Sequence, residues 1–164
     1  MGKSGIKVNL DGLNKLLKTL KEDYFVRVGI IGTEAKTEHE GSSLTNAEIG
    51  TFHEFGTGTL PRRSFLEDPL REKLNFKNSA FRKATTKEAW KQIVNKGNQK
   101  KFMHNLGAYA LKVIADAFES QDWQPLTESY VKQKERQGLS TNILTATGQL
   151  RRSISFKVLE KSKK

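Results

Sequence analysis

The sequence predicts an α+β fold: a small antiparallel or mixed β-sheet packed against a long core helix, with additional peripheral helices. Two observations carry this reading. β-rich segments at 24–31 and 150–158 stand near opposite ends of the 164-residue chain, and residues 101–120 between them form its strongest amphipathic stretch. In that stretch Met103, Leu106, Ala110, Val113 and Ala117 recur at helical spacing, while Phe102, Tyr109, Ile114 and Phe118 widen the stripe. A stripe this broad belongs to a core helix.

In chain order, Leu10, Leu13, Leu16, Leu17 and Leu20 predict a helix over 9–21 that begins at Asn9 or Asp11 and turns its lysines to solvent. Residues 24–31 read as a strand with Val26, Val28 and Ile30 on one face and Arg27 opposite. Residues 32–45 are polar and aperiodic, so they read as a long loop, mobile in a free protomer. Asn46 caps a helix over 46–55, on which Ile49, Phe52 and His53 share a side, and Gly56 stops it. Leu60-Pro61 opens an extended piece, Pro69 starts another helix, and Phe81, Ala84, Ala89, Trp90, Ile93 and Val94 space a helix over 79–96 that ends at Gly97.

Trp123-Gln124-Pro125-Leu126 ends the core helix, because the residue before a proline avoids helical backbone angles. Thr127 caps a short basic helix over 128–136, and a loop from 138 to 145 leads to a turn at Thr147-Gly148. In the second strand Leu150, Ile154, Phe156 and Val158 share a face, broken by Arg152, opposite Arg151, Ser153, Ser155 and Lys157. Leu150, Ile154 and Phe156 read as core. The tail 159–164 is polar and expected to fray. A single domain over 1–164 accommodates all of this.

The composition is that of a globular chain, with 35% hydrophobic and 29% charged residues and a mean hydropathy of −0.63. No apolar run is long enough to cross a membrane. The first residues lack a secretory apolar region, and Ile6 stands where a myristoylation signal needs Ser or Thr, so neither export nor anchoring is expected. The absence of cysteine excludes disulfides, thiolate zinc sites and thiol nucleophiles. The net charge is +11 and unevenly placed: residues 62–101 hold twelve basic and four acidic side chains, just downstream of Glu34, Glu38, Glu40, Glu48 and Glu54. Neighbouring segments of opposite sign suit self-association as well as nucleic acid.

Nothing in the sequence points to catalysis or a cofactor. Gly2-Lys3-Ser4 lacks the upstream glycine and strand of a phosphate loop. His53-Glu54 begins like a helical zinc motif, but Thr57 stands where the second histidine is needed. The three histidines, His39, His53 and His104, fall on a loop, a short helix and a long helix, and no Gly-x-Ser-x-Gly elbow occurs. The basic run that includes Arg62, Arg63, Arg82, Lys83 and Lys87 can neutralise phosphates without reading sequence, or form a solvated face. Arg151 and Arg152 either extend such a surface or flank an edge strand against sheet growth.

Two segments carry a family resemblance. Residues 47–58, which include His53-Glu54-Phe55-Gly56, run on to Leu60-Pro61-Arg62-Arg63-Ser64-Phe65-Leu66. Downstream come Trp123-Gln124-Pro125-Leu126, then Lys132 or Lys134, then Thr147-Gly148-Gln149-Leu150-Arg151-Arg152-Ser153-Ile154. This order resembles the phage virion morphogenesis proteins, the tail completion proteins of contractile-tailed phages, over about 24–158. The Thr-Gly-x-Leu-x-x-Ser-Ile core is shared with other phage neck and tail-joining families. Ser64 departs from the proline that family members often carry, and a Pro-Leu pair near Leu144 is missing.

The resemblance implies a non-enzymatic virion protein at the tail end or head–tail neck, assembled in host cytoplasm. It also implies a ring of identical subunits that touches other tail, neck or connector proteins, with packaged DNA as a possible nonspecific contact. Physically, Gly56 and Gly58 allow positive φ, Pro61 stiffens the turn, and Phe65 and Leu66 anchor it. Arg62 and Arg63 are open to two readings: acidic groups on a neighbouring subunit, or Glu48 and Glu54 of the same chain. A ring needs complementary patches on separate surfaces, so Glu34, Glu38 and Glu40 are expected to meet Arg82, Lys83 and Lys87 of the next subunit, with the acidic loop ordering as it docks. The competing assignment is a nonspecific DNA-binding protein using 62–101.

Overall fold

The computed structural model describes residues 24–75, 77–95 and 98–160. The helix expected at 9–21 and the last four residues of the tail lie outside them. Strand β1 (Tyr24–Ile30) and strand β2 (Ile154–Glu160) pair antiparallel, with Tyr24 opposite Glu160 and Ile30 opposite Ile154. Between them run α1 (Thr33–Lys36), α2 (Asn46–Phe55), α3 (Glu67–Lys73), α4 (Ser79–Ala89), a π-helical stretch (Trp90–Asn95), α5 (Gln99–Ser120), α6 (Glu128–Arg136) and α7 (Gln149–Arg152). Among the described residues the sheet has two strands, and the class is α+β with a long helix against the sheet.

Directly opposed residues share a face, so Val26 with Val158, Val28 with Phe156 and Ile30 with Ile154 form the apolar side. Helix α5 packs on both strands. Gly107 makes the fit possible: a Cβ there would collide with the Phe156 ring, which His104 meets edge-on with ring centroids 4.9 Å apart. Farther along α5, Ile114 and Phe118 meet Phe65 and Leu150 in a buried cluster ringed by Val28, Ile30, Ile49, Leu66, Trp123 and Leu144. Phe65 is completely buried and lies edge-on to Phe118, which is edge-on to Trp123, each pair 5.6 Å apart. Truncating an aromatic in such a cluster costs about 3–5 kcal/mol.

Several boundaries differ from the sequence reading. Residues 32–45 are not a featureless loop. They hold α1, a bridge between Glu38 and Thr45, and a tie to Gln149, whose Oε1 accepts from Glu40 N and whose Nε2 donates to Glu38 O. Thr45, not Asn46, caps α2, in a reciprocal box with Glu48. Asn46 is fully buried, and its side chain bonds His39 Nδ1 at 2.7 Å and Glu34 O at 3.0 Å. Helix α3 starts two residues before Pro69. The helix expected over 79–96 changes winding at Trp90, which leaves that ring 62% exposed.

The end of the chain also shifts. Thr147-Gly148 leads into α7 rather than into the strand, with Gly148 at φ +75°. β2 therefore starts at Ile154, which places Ser153 in the interior, where its hydroxyl donates to Leu150 O. Leu159 and Glu160, expected to fray, pair with Phe25 and Tyr24.

Glycine substitutions separate these effects. Gly107→Val should lower the melting temperature through overpacking against Phe156, by the equivalent of about 1–3 kcal/mol. Gly58→Ala meets nothing within 4 Å and should change stability by less than about 0.5 kcal/mol. Thermal denaturation followed by circular dichroism checks both.

Candidate functional site

The site grows from the C-terminal end of α2. Gly56 takes φ +75° with its Cβ position 2.9 Å from Arg62 N, so only glycine turns the chain there. Gly58, expected to share that role, has no positive φ. The turn closes with Thr57 N on Leu60 O at 2.8 Å, and Arg63 N returns to His53 O at 2.7 Å. This doubling back carries residues 64–67 across the side chain of Glu54, which is 5% exposed.

Glu54 receives four hydrogen bonds. The Ser64 hydroxyl donates to Oε1 at 2.6 Å and Glu67 N at 2.8 Å, while Phe65 N and Leu66 N donate to Oε2 at 2.9 and 3.0 Å. Ser64 Oγ in turn accepts from Asp68 N at 3.0 Å. The open amides at the start of α3 are thus capped by a carboxylate from another helix. Ser64 is part of that cap, and the proline of the related pattern would supply no hydroxyl there.

Three basic groups, His53, Arg63 and Lys134, are largely withdrawn from solvent. Arg63 is 6% exposed and Lys134 3% exposed. Arg63 Nε donates to Gln124 O at 3.3 Å and Lys134 Nζ to Asn142 O at 3.0 Å. Burial lowers the pKa of both, and the Arg63 charge lowers Lys134 further, whereas nearby Tyr130 raises Arg63. Burial, then the charges of Arg63 and His39, push His53 from its ordinary 6.5 to about 4, and His53 Nδ1 is sealed without a hydrogen-bond partner.

The two signature segments meet here. Besides Arg63 on Gln124, Trp123 Nε1 donates to Ser64 O at 2.9 Å, and Phe65 packs with Leu150. Of the alternatives Lys132 and Lys134, only Lys134 is buried. Lys134 stands out through burial and the exposed Gln124 through the carbonyl that accepts from Arg63, neither of which residue type alone signals. Ile154 borders the core cluster, and Pro61 is half-buried. Phe55 of the motif is 65% exposed.

Other expected contacts are placed differently. Arg62 pairs with Asp68 at 2.5 and 2.8 Å, so neither it nor Arg63 bonds Glu48 or Glu54. Arg151 pairs with Glu119 at 2.9 Å, and Arg152 donates to Thr147 O at 3.0 Å. Glu34, Glu38 and Glu40 are exposed, as are Arg82, Lys83 and Lys87 on α4, and none of these six side chains forms an ion pair among the described residues. A cleft of about 620 Å³ opens between α3 and α5; in it Arg62–Asp68, Lys73–Glu72 and Lys112–Asp116 pair, and Asp122 adds a further carboxylate. No protein-family model, curated protein or solved structure matches the chain. Among the described residues no helix is long and apolar enough to cross a membrane.

Glu54→Gln should cost roughly 2–4 kcal/mol in urea denaturation, because an NH₂ group would face amide donors that then lack an acceptor. The pH dependence has a definite sign. His53 takes up its proton near 6.5 when unfolded and near 4 when folded, so stability should rise with pH across that window. His53→Gln removes the titrating group and should flatten the slope, measured as melting temperature against pH.

Proposed function

We propose that this chain is a structural subunit of a phage or prophage virion that completes the tail or joins head and tail as a ring of identical copies. One observation supports this above the rest: the two segments that carry the resemblance, far apart in sequence, hold each other in one site through Trp123 on Ser64 and Arg63 on Gln124. A signature whose halves support one turn is what a shared fold requires, whereas chance matches have no reason to converge. The role needs no reacting group. It needs a rigid protomer with different surfaces on either side, since a ring is closed by heterologous contacts.

Two exposed surfaces of opposite charge are candidates for that contact. The segment bearing Glu34, Glu38 and Glu40 is tied to Gln149, so the glutamates are presented on a held scaffold and docking has less ordering entropy to overcome. Helix α4 offers Arg82, Lys83 and Lys87. Their pairing between subunits is the assembly contact of this reading.

A nonspecific DNA-binding role has one observation in its favour: Arg82, Lys83, Lys87, Lys91, Lys100 and Lys101 are all exposed and form no ion pair among the described residues. Binding of that kind weakens steeply with salt.

Changing Glu34, Glu38 and Glu40 to lysine should abolish incorporation into particles without unfolding the protomer, and adding Arg82→Glu, Lys83→Glu and Lys87→Glu should partly restore it. Infectious yield and immunoblots of purified particles give the readout. Unchanged yield after the first reversal removes this contact. A protein that is absent from particles yet retards any duplex at low salt belongs to the DNA-binding reading.

A further inference from the structure

Helix α4 and the start of the π-helical stretch divide into two faces. Phe81 and Gln92 are buried and Thr85, Glu88 and Ala89 half-buried, whereas Arg82, Lys83, Thr86, Lys87, Trp90 and Lys91 are exposed. The inner face is fastened to α5. The Phe81 and Tyr109 rings stack at 6.1 Å, and Glu88 Oε1 accepts from Gln92 Nε2 at 2.8 Å and from Asn105 Nδ2 at 3.0 Å. Glu88 is the only carboxylate between residues 79 and 98, and those bonds turn it toward α5. The outer face therefore carries four cations and no acid, and none of the four forms an ion pair among the described residues.

Residues three and four apart are neighbours on a helix surface. Arg82, Thr86 and Trp90 therefore form one row, and Lys83 and Lys87 a second that meets Trp90 through Lys87, the whole spanning roughly 12 Å along the axis. Trp90 is 62% exposed, so its ring forgoes the gain of burial while standing among cations. Exposure alone does not define such a surface: Phe55 is 65% exposed on α2, a helix without lysine or arginine. What distinguishes the outer face of α4 is an open aromatic ring and positive charge on the same rows.

We propose that this face binds single-stranded nucleic acid, with an unpaired base stacked on the Trp90 indole and phosphates on Arg82, Lys83, Lys87 and Lys91. Every base offers a π-face whatever its identity, and flanking phosphates need only positive charge, which is how sequence-indifferent single-strand sites are built. A duplex keeps its bases stacked inside and can use the cations alone. An acidic protein surface likewise has no use for the indole. A membrane fits less well, because an interfacial helix carries its aromatic residues opposite its lysines, whereas here they share a face and the opposite one is taken by α5. The proposal does not rest on the ring reading; it narrows the nucleic-acid reading to strands with unpaired bases.

The test titrates the full chain at low salt with fluorescein-labelled oligothymidylate, with its duplex with oligoadenylate, and with inorganic polyphosphate. The single strand should bind more tightly than the duplex and quench tryptophan emission, and polyphosphate should not quench. Trp90→Ala should weaken single-strand binding roughly tenfold at an unchanged melting temperature. Trp90→Phe, which keeps a ring, should restore most of the affinity and lose the quench. Lys83→Gln with Lys87→Gln should reduce the slope of log affinity against log salt by about 1.4. Undetectable single-strand binding, wild-type affinity in Trp90→Ala, a duplex bound as tightly as the single strand, or equal quenching by polyphosphate each overturns the site. A change in Trp90 emission on phosphatidylserine vesicles with none on the oligonucleotide assigns the face to a membrane and overturns it. Reduced self-association of Trp90→Ala in sedimentation, with oligonucleotide binding intact, assigns it to a second copy and overturns it as well. Absence from particles with all the expected responses intact counts against the virion role alone.

Discussion

The arrangement depends on one buried carboxylate. Glu54 holds residues 64–67 by four hydrogen bonds, and that short piece of chain places three unlike things at once: Phe65 in the core, the Ser64 carbonyl under the Trp123 indole, and Arg63 against Gln124. Four donors converging on two oxygens leave the turn little conformational freedom, because any rotation would bury an unpaired N–H. The negative charge also sits at the positive end of α3, where helix and carboxylate stabilise each other. Core packing and the placement of Arg63 are therefore not independent features. Both hang from the same turn.

Much of this architecture follows from local chemistry. The spans of α2 and α6, 46–55 and 128–136, agree with the sequence reading, because Gly56 and Thr127 mark ends by backbone geometry that no distant residue can override. The strand faces followed from alternation. What escaped was set by partners far along the chain. The buried stripe of α2 is Asn46, Gly50 and Glu54, a polar, glycine and acidic series that apolar periodicity cannot find; the pattern pointed to Phe52, which is 38% exposed. Gly107 in mid-helix looks like a weakness until Phe156 is laid across it. The π-helical stretch adds residues to a turn and so displaces Trp90 from the stripe that regular spacing assigns it.

The candidate site was legible to a similar degree. Its members Glu54, Arg63 and Phe65 stand out in the motif, but the roles of the two charges were not readable from it. An acidic residue eight and nine positions from two arginines suggests an ion pair. In the folded chain the carboxylate turns to backbone amides instead, and Arg63 is left with a carbonyl. Which acceptor a buried charge finds is decided by tertiary approach, and exposed pairs such as Arg62–Asp68 add little to stability in any case. Electrostatics in this fold thus acts through few groups, those removed from water, rather than through the +11 total.

The pairing of β1 with β2 has a consequence for the order of events during synthesis. Ile30 and Ile154 are the innermost partners, so a ribosome must add more than a hundred residues after the first strand before the second exists. At roughly 5–20 residues per second that interval is on the order of ten seconds. For its duration β1 is an unpaired template, and α5 has no completed sheet to lie on. Arg27, which faces Lys157 across the finished ladder, opposes a like charge there at some cost. In the nascent chain the same arginine discourages two first strands on neighbouring ribosomes from pairing with each other, so a residue that weakens the finished sheet protects the unfinished one.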